Sequence, residues 1–166
     1  MAELVPKRIS RPGTPGYFKP ADEGSGLLSW RHVSERLAAA KNVWVATSSA
    51  AGRPHAMPVW GVWTGSEFQF STSPVSRKAR NLYENPHAAI HLESANQVVV
   101  IEGDVRELSE SRALGAFLAL YNPKYGWDFT PEQVSSGVFA VRPVKAFAWL
   151  DGEGDGFSGA ATRWEF

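Results

Sequence analysis

The chain has 166 residues, 17 basic and 17 acidic side chains, and no cysteine. The length predicts one domain with its own hydrophobic core, and the balanced charge disfavours a nucleic-acid-binding protein. The lack of cysteine excludes disulfides, thiolate metal sites and cysteine nucleophiles. Because neither a signal-peptide core nor an apolar run of about 18 residues is present, we expect a soluble cytoplasmic protein with no membrane partner.

The first part of the chain predicts an arm, a helix and a meander of strands. Prolines are frequent in residues 1–26, which indicates an extended arm that either docks on a partner subunit or stays partly mobile. Ser29 suits the N-cap of a helix over about 30–41, since apolar residues follow it at helical spacing. Strands separated by short turns are then predicted over residues 43–49, 54–63 and 67–72.

The second half of the chain predicts more strands around a further helix. Ser109 suits the N-cap of a helix through about Leu120, followed by an aromatic loop or short helix. Pro143 lies inside a predicted strand, which implies a sheet edge or a bulge at that point. The predicted strands of this half cover residues 88–94, 97–108, 138–150 and 159–166. About six or seven strands, mostly joined by hairpins, predict a mainly β fold: a small antiparallel barrel with flanking helices, formed by residues 27–166.

The segment FSTSPVSRKARNLYENP, residues 70–86, places several cations directly after a run of hydroxyls. Ser73 suits the N-cap, and Pro74 the first position, of a helix over about 74–84 with one apolar stripe. A helix N-terminus carries partial positive charge, so each cation there costs about 0.3–1 kcal/mol. The hydroxyls are Ser71, Thr72, Ser73 and Ser76, and the cations are Arg77, Lys78 and Arg80.

Two explanations of these cations remain open at this point. A bound phosphate or carboxylate would gather helix N–H groups, hydroxyls and cations around one anion. A solvent-exposed charged helix face is the alternative, because Arg77, Lys78, Asn81 and Glu84 are predicted to lie opposite the apolar stripe. The spacing of the residues does not decide between them.

Other motifs carry less information. His87 and His91 have a spacing that binds zinc on a helix, but in a strand their rings lie about 13 Å apart, so we predict no metal site. The GEGDG stretch at residues 152–156 lacks the spacing and the following helix of a dinucleotide-binding motif and predicts a hairpin turn. Glu93 and Glu102 lie in predicted strands, and nothing pairs them as acid and base.

An aromatic group lies between the last predicted helix and the strand that follows. It comprises Tyr121, Tyr125 and Trp127, which we predict to occupy a loop. These side chains could line a substrate site, with a tyrosine as proton donor, or could simply hold the loop in place. The weak candidates for catalysis are therefore Tyr121, Tyr125 and His55, whose imidazole could tune a site or donate a proton.

Three stretches of the sequence resemble one family. They are GRPHAMPVWGVW (52–63), FQFSTSPVSRKARNLYENPHAAIHLE (68–93) and NQVVVIEGDV (96–105). All three are similar to the pyridoxamine 5'-phosphate oxidase-like split β-barrel family, and more narrowly to its flavin/deazaflavin oxidoreductase branch, which uses coenzyme F420. The resemblance covers about residues 28–166. It is most specific in the S-x-K-x-R-N-L core, and next in the strand R-P-H-x-x-P-V.

The resemblance implies a six- to seven-stranded antiparallel split β-barrel that forms a homodimer, with two equivalent cofactor sites at the subunit interface. The phosphate tail would contact Ser71, Thr72, Ser76, Arg77, Lys78 and Asn81, with Lys78 the most important. The ring system would lie along residues 55–60, contacting His55, Met57, Pro58, Val59 and Trp60, some of them through backbone groups. Gln97 would reach the site from the other subunit, and the C-terminal strand would contribute Arg163 and Trp164.

By the same resemblance, the protein is an oxidoreductase in which reduced F420 donates hydride to a small organic acceptor, such as an activated alkene, an imine or a quinone. One alternative is an FMN-dependent enzyme on the same fold. Another is a non-enzymatic protein that binds a flavin, F420 or haem, in which case His55 or His91 would be the axial ligand. A barrel that binds single-stranded nucleic acid is disfavoured by the neutral net charge.

Overall fold

The computed structural model describes residues 3–13, 26–151 and 159–166. In these ranges one sheet of eight strands is accompanied by three helices. The strands are β1 (Arg8–Ser10), β2 (Asn42–Ser48), β3 (Pro54–Trp63), β4 (Phe68–Ser71), β5 (His87–His91), β6 (Gln97–Glu107), β7 (Val138–Leu150) and β8 (Thr162–Glu165). The helices are α1 (Trp30–Ala39), α2 (Arg77–Glu84) and α3 (Ser111–Tyr125).

Six of the strands close into an antiparallel barrel. Their order is β7-β4-β3-β2-β5-β6, and pairing of β6 with β7 closes the ring. Closure satisfies backbone groups that an open sheet would leave at its edges. The predicted mainly β barrel with flanking helices is therefore confirmed.

Two short strands extend the sheet beyond the barrel, and one of them, β1, was not among the six or seven predicted strands. β8 pairs with β7, and β1 pairs with β8 in the register Ile9↔Trp164. β1 lies within the arm predicted over residues 1–26, so the described beginning of that arm forms part of the sheet. A three-residue strand carries too little pattern to reveal a partner more than 150 residues away. The predicted hairpin at residues 152–156 lies outside the described residues.

A β-bulge interrupts the pairing of β6 with β7, as the proline in β7 predicts. Glu102 pairs with Lys145, whereas Gly103 pairs with Pro143, so β7 has one extra residue between these pairs. Proline has no N–H to donate to the neighbouring strand, which the bulge accommodates. Gly103 is required here, because a Cβ atom would lie 2.3 Å from the carbonyl oxygen of Arg142.

The core of the barrel contains a cluster of tryptophans beneath α1. The Trp30 ring lies 6.1 Å from that of Trp63 and 5.7 Å from that of Trp164, in edge-to-face arrangements. A second apolar cluster joins α3 to the outside of the barrel, with Phe117 fully buried. No described helix is long and apolar enough to cross a membrane.

Two of the three predicted helix starts are wrong. The N-cap of α1 is Ser29, as predicted. The N-cap of α2 is Ser76 instead of Ser73, because the residues from Ser73 to Ser76 form a turn and the Ser76 hydroxyl accepts the N–H of Ala79. The first helical residue is therefore Arg77, not Pro74.

The third helix begins later and ends later than the sequence predicts. α3 follows Glu110, which makes no side-chain cap bond, so Ser109 is not the N-cap. The helix continues beyond the predicted end at Leu120 and includes Pro123. It ends at Gly126, whose φ of 72° is accessible to glycine at little cost. Tyr121 and Tyr125 therefore lie on α3 itself, where the sequence predicts a loop or a separate short helix.

Candidate functional site

The split in the barrel lies beside the first half of β3. Residues Pro54–Trp60 pair with β2, whereas pairing with β4 begins only at Gly61. Thr64 donates its N–H to the carbonyl oxygen of Glu67 in the turn between β3 and β4. Because backbone groups alternate in direction along a strand, those of the even-numbered residues of β3 point away from β2. Over 54–60 these groups face the split without a strand partner among the described residues.

Two prolines reduce the number of donors on this open edge of β3. Pro54 and Pro58 have no N–H, which leaves the N–H groups of Ala56 and Trp60 and a larger number of carbonyl oxygens facing the split. An open edge with both kinds of group can bind the polar rim of a planar molecule or a further strand. The prolines disfavour the strand, because they interrupt a regular ladder.

A cavity of about 350 Å³ occupies the split. Its volume lies in the range of small-molecule sites. It brings together seven of the predicted site residues and one that was not predicted, Asn42. The lining residues are Asn42, Pro58, Val59, Trp60, Ser71, Thr72, Lys78 and Tyr121.

Asn42 was missed because its position depends on register, not on a motif. It begins β2 and pairs with Trp60 of β3, which places it beside the open edge. A polar residue at the start of an otherwise apolar strand was the only available signal, and that pattern is common at strand ends.

One cation of α2, Lys78, lies at the wall of the cavity, whereas Arg77 and Ser76 lie close to it in the sequence but do not line the cavity. Lys78 Nζ donates to the Thr72 hydroxyl at 3.1 Å, and this hydroxyl lies 3.2 Å from that of Ser76. Burial lowers the pKa of Lys78. Of the predicted phosphate contacts, Thr72 therefore contacts the ammonium group directly, and Ser76 contacts Thr72 while its hydroxyl also caps α2. We call Thr72, Ser76, Arg77 and Lys78 the cationic helix start.

The described residues provide no carboxylate to neutralise these charges. Neither Arg77 nor Lys78 belongs to any of the ion pairs found in this part of the chain, and the first turn of α2 contains no acidic residue. Two cations at a helix N-terminus are mutually unfavourable unless an anion joins them. Lys78 is half-buried, so the alternative explanation, a solvent-exposed charged helix face, does not apply to it. That explanation still fits Arg77 and Arg80, which are exposed.

Asn81 lies outside the cavity and fixes the position of α2. Only 4 % of its surface is exposed, and its Nδ2 donates to the hydroxyl of Thr47 on β2 at 3.0 Å. One turn later, Asn85 Nδ2 donates to the hydroxyl of Ser48 at 2.8 Å. Two amides thus hold α2 against the end of β2, which sets the position of the cationic helix start.

We expect Asn81→Ala to lower the free energy of unfolding by about 1–3 kcal/mol, because it removes a buried hydrogen bond and leaves the Thr47 hydroxyl without its donor. Asn85→Ala is the matched control: its amide is less buried, so the expected loss is only about 0.5–1.5 kcal/mol. Urea denaturation of the cofactor-free proteins measures both. An unchanged unfolding free energy for Asn81→Ala, with reduced cofactor affinity, would instead make Asn81 a direct contact.

His55 lies close to the cationic helix start. Its Nδ1 is buried and has no hydrogen-bond partner among the described residues. Burial lowers the pKa of His55, and the positive charges of Arg77 and Lys78 lower it further. The imidazole is therefore mainly neutral at neutral pH. An unsatisfied buried polar atom beside uncompensated cations fits a polar, anionic group in this region.

The lowered pKa of His55 predicts a pH dependence of stability. The unfolded chain binds a proton at His55 more readily than the folded protein does, so stability falls as pH decreases through the ordinary histidine pKa of about 6.5. We expect His55→Gln to flatten the decline in unfolding free energy between about pH 7 and pH 5. Urea denaturation of the cofactor-free protein and of His55→Gln across this pH range tests this expectation, since the remaining histidines are the same in the two proteins. Parallel profiles would contradict the assignment.

The aromatic residues of α3 have different roles. The Tyr125 hydroxyl accepts the N–H of Gly61 at 2.9 Å and lies 2.7 Å from the carbonyl oxygen of Lys41, so backbone groups occupy it. Tyr121 lines the cavity, and burial raises its pKa, with a further contribution from Tyr125. Of the two tyrosines among the three predicted proton donors, the geometry brings Tyr121 to the cavity and gives Tyr125 a structural role.

Several predicted site residues do not line this cavity. Met57 is exposed on β3, and the Gln97 side chain accepts a hydrogen bond from Arg36. Arg163 is hydrogen-bonded to Ser10 and paired with Glu165. A role for Met57, Gln97 or Arg163 across a subunit interface stays a prediction.

Trp164 is fully buried in the core of the barrel. Its indole Nε1 has no hydrogen-bond partner among the described residues. The structure therefore does not bring Trp164 to the cavity. Its ring is held by core packing, which leaves no surface for a cofactor.

The two histidines with zinc-like spacing lie on β5 and have other contacts. His87 is paired with Asp104, and the His91 ring is stacked on that of Trp44. In the part of the chain that the structure describes, no three potential metal-binding side chains come together.

A family model matches most of the chain. The model is described as pyridoxamine 5'-phosphate oxidase, and it aligns with residues 30–150, which include all the residues that line the cavity. No curated protein matches the sequence significantly.

Solved structures with the same fold have diverse titles. A conserved hypothetical protein from Mycobacterium tuberculosis matches with a TM-score of 0.65 and 20% identity over 74% of this chain and 85% of that chain. A structure titled F420 reductase matches with a TM-score of 0.56 and 22% identity over 68% and 94%. The heme storage protein HutZ from Vibrio cholerae matches with a TM-score of 0.55 and 16% identity over 73% and 93%. At these identities the similarity concerns the fold alone.

Proposed function

Since the chain belongs to the pyridoxamine 5'-phosphate oxidase family, we propose that it is an oxidoreductase that binds coenzyme F420 in the split of its barrel. The observation that carries this proposal is the cationic helix start. Half-buried Lys78 and the Thr72 hydroxyl line the cavity, and the Ser76 hydroxyl is hydrogen-bonded to Thr72. No ion pair in the described chain neutralises the lysine. Such a set of donors suits a phosphate group.

The exposed cations of α2 favour F420 over FMN. The phosphate tail of F420 continues into glutamate residues, and Arg77 and Arg80 lie exposed on the same helix as Lys78. Neither arginine has an acidic partner within the described residues. A longer anionic tail would contact these exposed charges, whereas a shorter tail with one phosphate would need only Lys78 and the hydroxyls.

The ring system of the cofactor would lie along the open edge of β3. This edge provides the N–H groups of Ala56 and Trp60 and the carbonyl oxygens that alternate with them. When bound, the reduced cofactor supplies a hydride to the acceptor. The side chains of this protein would bind the tail, orient the ring and limit access of water.

Besides the hydride, the reaction requires a proton for the reduced acceptor. Tyr121 has the most suitable position, because it lines the cavity and its hydroxyl makes no hydrogen bond to another described residue. Its raised pKa keeps the phenol protonated, so it can donate. A proton from Tyr121 together with a hydride balances a two-electron reduction, and solvent returns the proton to the tyrosine afterwards.

We also propose that the protein is a homodimer whose partner subunit completes the site. Met57 exposes a large apolar side chain on the half of β3 that pairs with β2 alone. Methionine is enriched at protein interfaces, and the resemblance to the family implies a dimer. Gln97 of a second copy would then reach the ring.

A haem protein is the second candidate: the Nδ1 of His55 is buried but has no hydrogen-bond partner among the described residues, so turning the ring towards an iron would break no hydrogen bond of this nitrogen. A neutral imidazole of lowered pKa is a suitable axial ligand for iron. One structure with the same fold is titled a heme storage protein. The uncompensated cations would then bind the propionate groups of haem.

Parallel titrations of the cofactor-free protein with F420, FMN and haemin test the proposal. Trp60 lines the cavity, so quenching of tryptophan fluorescence reports on binding. We expect F420 to bind at least tenfold more tightly than FMN and to support reduction of an activated alkene or quinone. Tighter binding of FMN would assign the protein to the flavin enzymes, and a Soret band that shifts in His55→Ala would assign it to the haem proteins.

A further inference from the structure

Two tryptophans lie exposed beside the cavity although their positions are fixed. Trp60 is 41% exposed and Trp127 is 46% exposed, and their ring centroids are 6.4 Å apart at an interplanar angle of 38°. Trp60 lines the cavity, so the pair extends the cavity wall outward. We call Trp60 and Trp127 the aromatic rim.

The structure beneath Trp60 holds its ring in one orientation. The Tyr125 ring is stacked on it at 5.0 Å and 4°. Tyr125 is itself bound through its hydroxyl to Gly61, and Lys124 Nζ donates to the carbonyl oxygens of Gly61 and Ala38. One face of the Trp60 ring is therefore covered by the Tyr125 ring, whose position is fixed by hydrogen bonds between α3 and Gly61.

Trp127 is fixed by the turn that ends α3. Its N–H and that of Gly126 both donate to the carbonyl oxygen of Asn122. Its ring is stacked on Phe129 at 5.2 Å, and the side-chain amide of Asn122 is hydrogen-bonded to both backbone groups of Phe129. The aromatic rim therefore loses little conformational entropy when a ligand binds, which is the property of a preformed binding surface.

From this arrangement we propose that the aromatic rim binds the acceptor, and that the acceptor is a neutral, planar, conjugated ring compound. The inference rests on the proposed function, because it assigns the substrate class of the same cavity. Aromatic faces favour flat rings that stack against them over puckered molecules of similar polarity.

The charges near the aromatic rim indicate a neutral acceptor. Lys124, the nearest cation on α3, is occupied by two carbonyl oxygens. Asp128 is exposed directly after Trp127 and disfavours an anion. The cationic helix start would be occupied by the cofactor tail. An acidic acceptor would therefore find no free positive charge at the rim.

Two acceptors with different shapes test the inference: menadione, a flat bicyclic quinone, and 2-cyclohexenone, a small puckered enone. In each case a hydride from the reduced cofactor and one proton reduce the acceptor, to the hydroquinone or the saturated ketone. We expect Trp127→Leu to raise KM for menadione about three- to tenfold with little change in kcat. KM for 2-cyclohexenone should change by less than about twofold, and Trp127→Phe should restore most of the menadione affinity.

Tyr83→Leu is the matched control. Tyr83 is also an exposed aromatic residue in contact with a phenylalanine ring, at 5.6 Å and 56°, but it lies at the far end of α2. Its replacement should leave both KM values unchanged. Equal changes for both acceptors in Trp127→Leu would overturn the inference, and so would a loss of dimer in that variant without altered selectivity, which would place Trp127 in the subunit interface.

Equilibrium dialysis of menadione against the cofactor-free protein separates this inference from the proposed function. Weaker menadione binding in Trp127→Leu than in Trp127→Phe supports the aromatic rim even if F420 does not bind. F420 binding together with menadione binding that does not depend on Trp127 overturns the aromatic rim and leaves the proposed function intact.

Discussion

Lys78→Ala is expected to weaken cofactor binding about tenfold to a hundredfold while the fold stays intact. The ammonium group of Lys78 is half-buried at the cavity wall and contacts the Thr72 hydroxyl. A hydrogen bond to a charged group contributes about 1.5–3 kcal/mol, and each 1.4 kcal/mol changes affinity about tenfold. Without a bound anion the ammonium group has no acidic partner in the described chain, so its loss should hardly change the stability of the cofactor-free protein.

Lys145→Ala provides the control for this experiment. Lys145 is exposed on β7 and does not line the cavity, so its replacement by alanine removes the same charge at a distance from the site. The change in affinity should be less than about twofold, because exposed charges are screened by salt. Titration of F420 at two salt concentrations separates the local effect from the general one. Equal affinity of Lys78→Ala and the unmodified protein would show that the phosphate lies elsewhere.

Trp164→Ala is expected to lower the free energy of unfolding by about 3–5 kcal/mol. Its ring is fully buried and packs edge-to-face on Trp30 in the core of the barrel. Removal leaves a large cavity that the surrounding sheet cannot fill by small movements. Urea denaturation of the cofactor-free protein measures the loss, since no binding contribution enters that comparison.

Trp164→Phe distinguishes packing from recognition. The indole Nε1 makes no hydrogen bond within the described residues, so phenylalanine removes only part of the ring volume, and the expected loss is clearly smaller than for alanine. Cofactor affinity should be unchanged in Trp164→Phe. The opposite result, normal stability with weakened cofactor binding, would return Trp164 to the site.

The barrel was predictable from the sequence because its strands carry strong local patterns. β3 and β7 were predicted with the bounds that the structure shows, since turns and alternating apolar residues delimit them. The bulge followed from Pro143 for a local reason, the missing N–H. β1 could not be predicted, because the strand that it pairs with in the described part of the chain, β8, lies at the other end of the sequence.

The candidate site was predictable where chemistry identifies it, and less so where register and packing decide. The hydroxyl and cationic residues around Lys78 can be recognised in the sequence from their residue types, and the structure joins Lys78, Thr72 and Ser76 by hydrogen bonds. Asn81 belongs to the same stretch, but its position on α2 turns it towards Thr47 instead of the cavity. Trp164 was assigned to the site by resemblance, although only the packing of the core determines where that ring lies.

The most direct test of the central claim is a crystal structure of the protein with F420. We predict a phosphate oxygen within hydrogen-bond distance of Lys78 Nζ and of the Thr72 or Ser76 hydroxyl, with the ring along the open edge of β3. A phosphate bound away from α2, with Lys78 still contacting only Thr72, would contradict the assignment of the cationic helix start as the cofactor site.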